Sequence, residues 1–221
     1  MIGIIGGTGP QGKGLAYRLA VAGVDVLVGS RSVEKGQSVA AELTQILRDS
    51  DTGAGLGAHV KGTRNGDLPE RSEMLLVAVP YDGLADTLKA MADNVSDQIV
   101  MSAVNRLGFA GGPHALPVPA GSAAQEVAQI LPQAKVVTAF NNVSAVHLFD
   151  PDHAFDEDVL VCGDDADAVS QVTTLVNRLK GLRGVASGPL VHAATIEAMT
   201  AVVISINKLH KINSGVRIVG L

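Results

Sequence analysis

The chain has 221 residues, 47% of them apolar, and a formal net charge of −5, which supplies one large core with a modest appendage at most. The acidic balance, with four Phe, two Tyr and no Trp, offers neither the basic stripe nor the stacking platforms of a nucleic-acid binder. The single cysteine, Cys162, excludes an internal disulfide and a cysteine-rich metal site; with no uncharged apolar run of about eighteen residues, the expectation is a soluble, cytoplasmic protein without a membrane or metal partner.

Residues 2–5 form an apolar run set directly against Gly7-Thr8-Gly9-Pro10-Gln11-Gly12, and an amphipathic segment with Leu15, Leu19 and Ala22 on one face opens immediately. Strand, glycine turn and helix in that order make a dinucleotide-binding unit. Gly7 permits the tight turn, Gly9 lets the backbone approach a pyrophosphate, and Gly12 lets the helix pack closely on the strand. The free N–H groups of the first helical turn face the phosphates. Twenty-five glycines produce such spacings by accident, so the flanking strand and helix carry the assignment rather than the motif alone.

Residues 25–28 read as a second strand, Val- and Leu-rich as a strand covered on both faces should be. Where an NAD site carries an acid for the ribose 2′-hydroxyl, this chain has Gly29-Ser30-Arg31-Ser32, with Lys35 a helical turn further on. A guanidinium and a hydroxyl bind a 2′-phosphate through charge-assisted hydrogen bonds, so the expected cofactor is NADP(H). The competing reading, a solvated helix start, places positive charge against the helix macrodipole.

A helix follows over 33–47, with Val39, Leu43, Ile46 and Leu47 at helical spacing, and then a polar, glycine-rich connection over 49–57. Residues 59–63 make a weak strand and 64–71 an excursion. The run 74–79 is a strand stopped by Pro80. Ligands sit beyond the carboxyl ends of parallel strands, which places Val79, Pro80 and Tyr81 beside the cofactor, with Pro80 or Tyr81 near the nicotinamide ribose. A helix over 84–92 and a strand over 98–102 follow, and Val104 falls at the same edge.

Residues 104–121 lack periodicity and read as a lid or pocket wall, with Arg106 and His114 as polar contacts. Ser122 and Gln125 open a helix to 131, and 135–139 is the sixth strand. The polar cluster Asn141-Asn142-Val143-Ser144 then suits either turn formation or the orientation of a flat heteroaromatic ligand. After a solvated acidic connection over 150–158 come a strand over 159–162, Asp164 and Asp165 as caps of a helix over 166–179, and a strand over 181–185. A long apolar helix over 191–210 either covers the sheet or pairs with a second copy, which favours a homodimer; its His192 and His210 read as surface residues. The predicted fold is α/β: a Rossmann-like doubly wound parallel sheet over 1–139, with a smaller C-terminal part over 140–221 ending in a long helix.

The strings GGTGPQGKGLA, VGSR, VPYDG, VCGDDAD and GLRGVASGPL together resemble the F420H2:NADP oxidoreductases, over nearly the whole chain. The resemblance implies 2′-phosphate contacts at Thr8, Ser30, Arg31 and Lys35. It also implies a pocket for the deazaflavin F420 around Asn141, Asn142, Val143 and Ser144, around Ser187, Gly188, Pro189 and Leu190, and at Asn207. Family members commonly carry a histidine in the segment matching Asn141-Asn142; here both positions are amides. Hydride transfer between two ring systems requires no nucleophile, metal or dedicated acid, so no catalytic side chain is expected. The alternatives are an imine or β-hydroxy-acid reductase, for which Lys208 or Lys211 would be the proton donor, and an NADP-binding regulatory module without turnover.

Overall fold

In a computed structural model, residues 1–49, 58–150 and 152–221 are described. The glycine-rich connection expected at 49–57 lies outside them from residue 50 onward, as does Pro151 in the acidic connection. The elements run β1 (Ile2–Ile5), α1 (Pro10–Val21), β2 (Val26–Ser30), α2 (Val33–Asp49), β3 (Val60–Arg64), α3 (Leu68–Arg71), β4 (Met74–Val77), α4 (Leu84–Lys89) and β5 (Ile99–Ser102). They continue with β6 (Leu107–Gly108), β7 (His114–Ala115), α5 (Ala123–Ile130), β8 (Lys135–Thr138), α6 (Ala145–Leu148), β9 (Glu157–Gly163), α7 (Ala166–Asn177), β10 (Leu182–Ala186) and α8 (Ala193–His210).

One eight-stranded sheet carries the order β10-β9-β8-β5-β4-β1-β2-β3. Its six strands from β3 to β8 are parallel, in the doubly wound order, with Ile4 opposite both Val28 and Leu76, and Met101 opposite Val137. Side chains alternate between the faces. Ile4, Val28, Leu76 and Met101 pack with α1, α2 and α7, while Ile5, Leu27, Leu75 and Val77 pack with α3, α4, α5 and the start of α8.

The doubly wound parallel sheet expected over 1–139 is formed by the six strands from β3 to β8, and the smaller carboxy-terminal part adds two strands of the opposite direction at one edge. β9 and β10 are parallel to each other, but β9 runs antiparallel to β8, with Thr138 opposite Cys162. A parallel return requires a crossover along the sheet. The link from β8 instead contains only the short α6, which packs on α1, where a side chain at Gly14 would meet Leu148, so the chain re-enters from the carboxyl edge. Within 104–121, β6 and β7 form an antiparallel hairpin, with Leu107 opposite Ala115, in place of an irregular loop. Strands of two residues carry no periodicity to read.

The helical stretch Leu190–His210, which contains α8, is long and apolar enough by length and composition to cross a membrane, yet its amino-terminal half packs into the core through Ala193 and Ile196, and Glu197 is buried with them. Val202, Ile206 and Leu209 on its outer side are exposed.

Candidate active site

The crevice opens where the strand order reverses, between the carboxyl ends of β1 and β4. The tight turn needs the left-handed region at Gly6 (φ +77°), not at Gly7 as the motif suggests. Gly7 is instead pressed against β2, where a Cβ would sit 3.1 Å from Val28 Cγ1. Gly12 has the expected role: a Cβ there would lie 2.6 Å from the Gly6 carbonyl oxygen, so only glycine lets α1 start this close to the turn. Gly9 is the helix N-cap, and Pro10 occupies the first turn, exposed, with no side chain capping the helix. The first-turn N–H groups are thus left for an anion.

A groove of about 490 Å³ runs from this turn to the end of β2, lined by Gly6, Thr8, Gly9, Ser30, Arg31, Ser32 and Lys35 on one side and Ala78, Val79 and Pro80 on the other. Ser32 Oγ accepts from the Lys35 N–H at 3.3 Å and so starts α2, which fixes where Lys35 projects. Arg31 and Lys35 are exposed, and neither is in an ion pair among the described residues. Two uncommitted cations beside a buried serine, at one end of a groove whose other end is a bare helix start, fit a dinucleotide with a phosphorylated ribose.

The sequence reading missed Asn65, Gly83 and Thr87 in this groove. Asn65 Oδ1 accepts from the Gly6 N–H at 3.2 Å and holds the turn in its left-handed geometry. Its signal was available, since it directly follows β3 at the carboxyl edge.

Tyr81 leaves the groove to Val79 and Pro80. Its hydroxyl donates to Glu126 Oε2 at 2.6 Å, and the Arg106 guanidinium lies over its ring at 4.6 Å. Burial and the Glu126 carboxylate push the phenol above its ordinary pKa. Arg106 also donates to the Pro117 carbonyl, so the hairpin segment is tied to the residue following Pro80. Val104 contributes its carbonyl, which accepts from Asn141 Nδ2 at 3.2 Å, while its side chain is core.

A second cleft of about 340 Å³ lies beyond the adjacent strands β5 and β8, lined by Ala103, Asn105, Asn141, Asn142, Val143, Ser144 and α8 residues including Thr200, Val203 and Asn207. Asn141 and Asn105 bond reciprocally, Asn141 Nδ2 to Asn105 Oδ1 at 3.1 Å and Asn105 Nδ2 to the Asn141 carbonyl at 2.8 Å. Asn142 Nδ2 donates to the Ile196 carbonyl at 3.0 Å and to Thr200 Oγ1 at 2.9 Å, joining β8 to α8. Asn207 Oδ1 accepts from the Ser214 N–H and hydroxyl, both at 2.7 Å. Gln11 lines this cleft rather than the dinucleotide groove.

Residues 187–190 are not brought here. Because β9 and β10 run antiparallel to the rest, the segment after β10 heads back along the sheet. There Gly188 accepts from the Gly163 N–H at 3.1 Å, the Leu190 N–H donates to Asp164 Oδ1 at 2.9 Å, and the Leu190 side chain enters the core. Ser187 and Pro189 are held in the same turn outside the cleft lining. Asp165 alone caps α7, accepting from the Ala168 N–H at 2.8 Å.

Residues 1–106 match the family described as NADP oxidoreductase, coenzyme F420-dependent. The chain is 36% identical to the F420-dependent NADP reductase of Methanocaldococcus jannaschii, covering 100% of this chain and 98% of that protein. It is 34% identical to the protein of that name from Methanothermobacter thermautotrophicus, covering 100% and 95%. A candidate F420-dependent NADP-reductase of known structure from Arthrobacter sp. FB24 superposes with a TM-score of 0.80 at 27% identity, covering 98% of each chain. The chain belongs to the F420-dependent NADP reductase family.

Proposed function

We propose that this chain is an oxidoreductase that moves a hydride between NADP(H) and the deazaflavin coenzyme F420. The carrying observation is the adjacency of two unlike clefts on neighbouring strand ends: a groove ending in Ser30, Arg31 and Lys35, and an amide-lined cleft at Asn141 to Ser144. The nicotinamide and deazaflavin rings supply the redox chemistry when bound. The protein binds, orients and excludes water. Arg31, Lys35 and Ser30 take the 2′-phosphate with Thr8; the N–H groups at the start of α1 face the pyrophosphate; Val79 and Pro80 wall the nicotinamide end.

In this reading Asn141, Asn142, Val143, Ser144 and Asn207 hold the deazaflavin, and no side chain transfers a proton. The carboxy-terminal part over 140–221 completes that pocket and gives a homodimer contact through the exposed Val202, Ile206 and Leu209 of α8, with the protein working in the cytoplasm.

The test is incubation of the purified chain with NADPH and F420, followed at the visible absorbance of the deazaflavin. Bleaching that requires both nucleotides is the expected result. Turnover of a small imine or carbonyl without any F420 change, or nucleotide binding without turnover of either, would overturn the proposal.

A further inference from the structure

Away from both clefts, three possible metal ligands meet where α6, the segment behind it and the start of β9 converge. One donor atom from each of His147, His153 and Glu157 lies within 4.8 Å of the other two. The two imidazoles stack with centroids 3.6 Å apart and planes 22° from parallel, and Phe155 closes the cluster with its ring 4.7 Å from His153 and 6.4 Å from His147.

Two features of the cluster are unexplained by the protein alone. His147 Nδ1 is shut off from solvent and has no hydrogen-bond partner. Glu157 is buried at 9% exposure, and no ion pair among the described residues involves its carboxyl group. That group lies against Gly215, where any side chain would collide with it. A solvent-excluded imidazole nitrogen without a partner carries a desolvation cost, and a cation held among His147, His153 and the unpaired Glu157 carboxyl group would offset it.

The scaffold is held before any ion arrives. Arg18 on α1 donates to the Leu148 carbonyl at 2.9 Å and to the His147 carbonyl at 2.8 Å, also reaches the carbonyls of Asp150 and His153, and lies over the Phe155 ring at 4.7 Å. Its charge opposes a cation. The carboxylates of Glu157 and Asp150, both near His147 in the fold, offset it.

We infer that His147, His153 and Glu157 form a divalent-metal site for a zinc-class cation, with water completing the shell. Two imidazoles and one carboxylate are a donor set that zinc accepts. Bond lengths near 2.0–2.2 Å put tetrahedral ligand atoms about 3.3 Å apart. From a 4.8 Å triangle that contraction needs a fanning of the two stacked rings at their nitrogen edges. A bound ion would then rivet α6, which packs on the helix of the glycine turn, to the first residue of β9.

The test uses untagged full-length protein, stripped with a chelator and titrated with Zn²⁺ by calorimetry, and with Co²⁺ by visible absorbance. The expected result is one ion per chain with a tetrahedral cobalt spectrum, and a thermal midpoint raised by Zn²⁺. His153→Ala and Glu157→Gln should each weaken binding by more than about tenfold, the loss typical even of groups behind a metal's direct ligands, and His153→Ala should lose the thermal shift. Absence of saturable binding by the wild type overturns the site. Binding undiminished in both variants also overturns it, because the ion would then sit on other histidines. If one variant fails to fold, the other and the wild-type cobalt spectrum decide.

Discussion

The side-chain amide of Gln11 donates to the Phe140 carbonyl at 3.1 Å, with a second, longer contact to the Val143 carbonyl at 3.4 Å. The first turn of α1 is thereby fastened to the end of β8, 129 residues away in sequence. Phe140 is buried and holds a left-handed backbone (φ +66°), a conformation that costs a non-glycine residue on the order of 1–2 kcal/mol. The Gln11 amide holds the strained turn from which Asn141 and Asn142 project.

Gln11→Ala should therefore loosen the amide-lined cleft more than the dinucleotide groove. The expected outcome is a rise in the F420 KM of about five- to thirtyfold, corresponding to roughly 1–2 kcal/mol, with the NADPH KM changed less than threefold. Steady-state kinetics with each substrate varied in turn checks this; a larger effect on NADPH would place Gln11 in the other groove.

Arg31→Glu replaces an uncommitted cation with a charge that repels a 2′-phosphate. NADPH affinity should fall by at least about tenfold, the loss of one charge-assisted hydrogen bond, while the weak affinity for NADH hardly changes. Calorimetry with both nucleotides reads the difference. Equal losses would discredit the 2′-phosphate assignment.

Asp158 anchors the carboxy-terminal tail. Its carboxylate accepts from Arg183 Nε and a terminal guanidinium nitrogen, both at 2.8 Å, and from the Ile218 N–H at 2.6 Å. The Arg183 hydrogen bonds hold its pKa below the ordinary 3.8. A depressed carboxylate pKa gives stability that is present above the ordinary value and lost as pH falls through the lower, folded one. Asp158→Asn should cost about 1.5–3 kcal/mol at neutral pH, and urea unfolding should show the gap to wild type closing below about pH 4.

Glu197 works in the opposite sense. Its carboxyl oxygens accept from the Ala123 and Ala124 N–H groups at 2.8 and 3.0 Å, capping α5 from α8, yet burial pushes its pKa up to about 7 from the ordinary 4.5. A raised acid pKa makes the native state bind its proton more tightly. The associated stability is full below about pH 4.5 and is lost as pH rises through about 7. The thermal midpoint of wild type relative to Glu197→Gln should fall across that interval and stay flat on either side; a difference independent of pH would contradict it.

The amino-acid sequence alone determined the eight sheet strands, the glycine turn and the cation pair after β2, because each rests on local chemistry: apolar runs bounded by breakers, and charges at a fixed distance from a strand end. It also carried the family resemblance. Three things awaited the tertiary structure. The left-handed φ fell on Gly6, whose N–H is held by the side chain of Asn65, the residue after β3. The reversal of β9 followed from α6 docking on α1, a contact with no signature in a four-residue helix. That reversal in turn carried residues 187–190 away from the cleft of Asn141 and Asn207, while Gln11 faces it through its bonds to the Phe140 and Val143 carbonyls. Strand direction and side-chain partners depend on contacts between segments far apart in the chain, and periodicity within a segment cannot encode them.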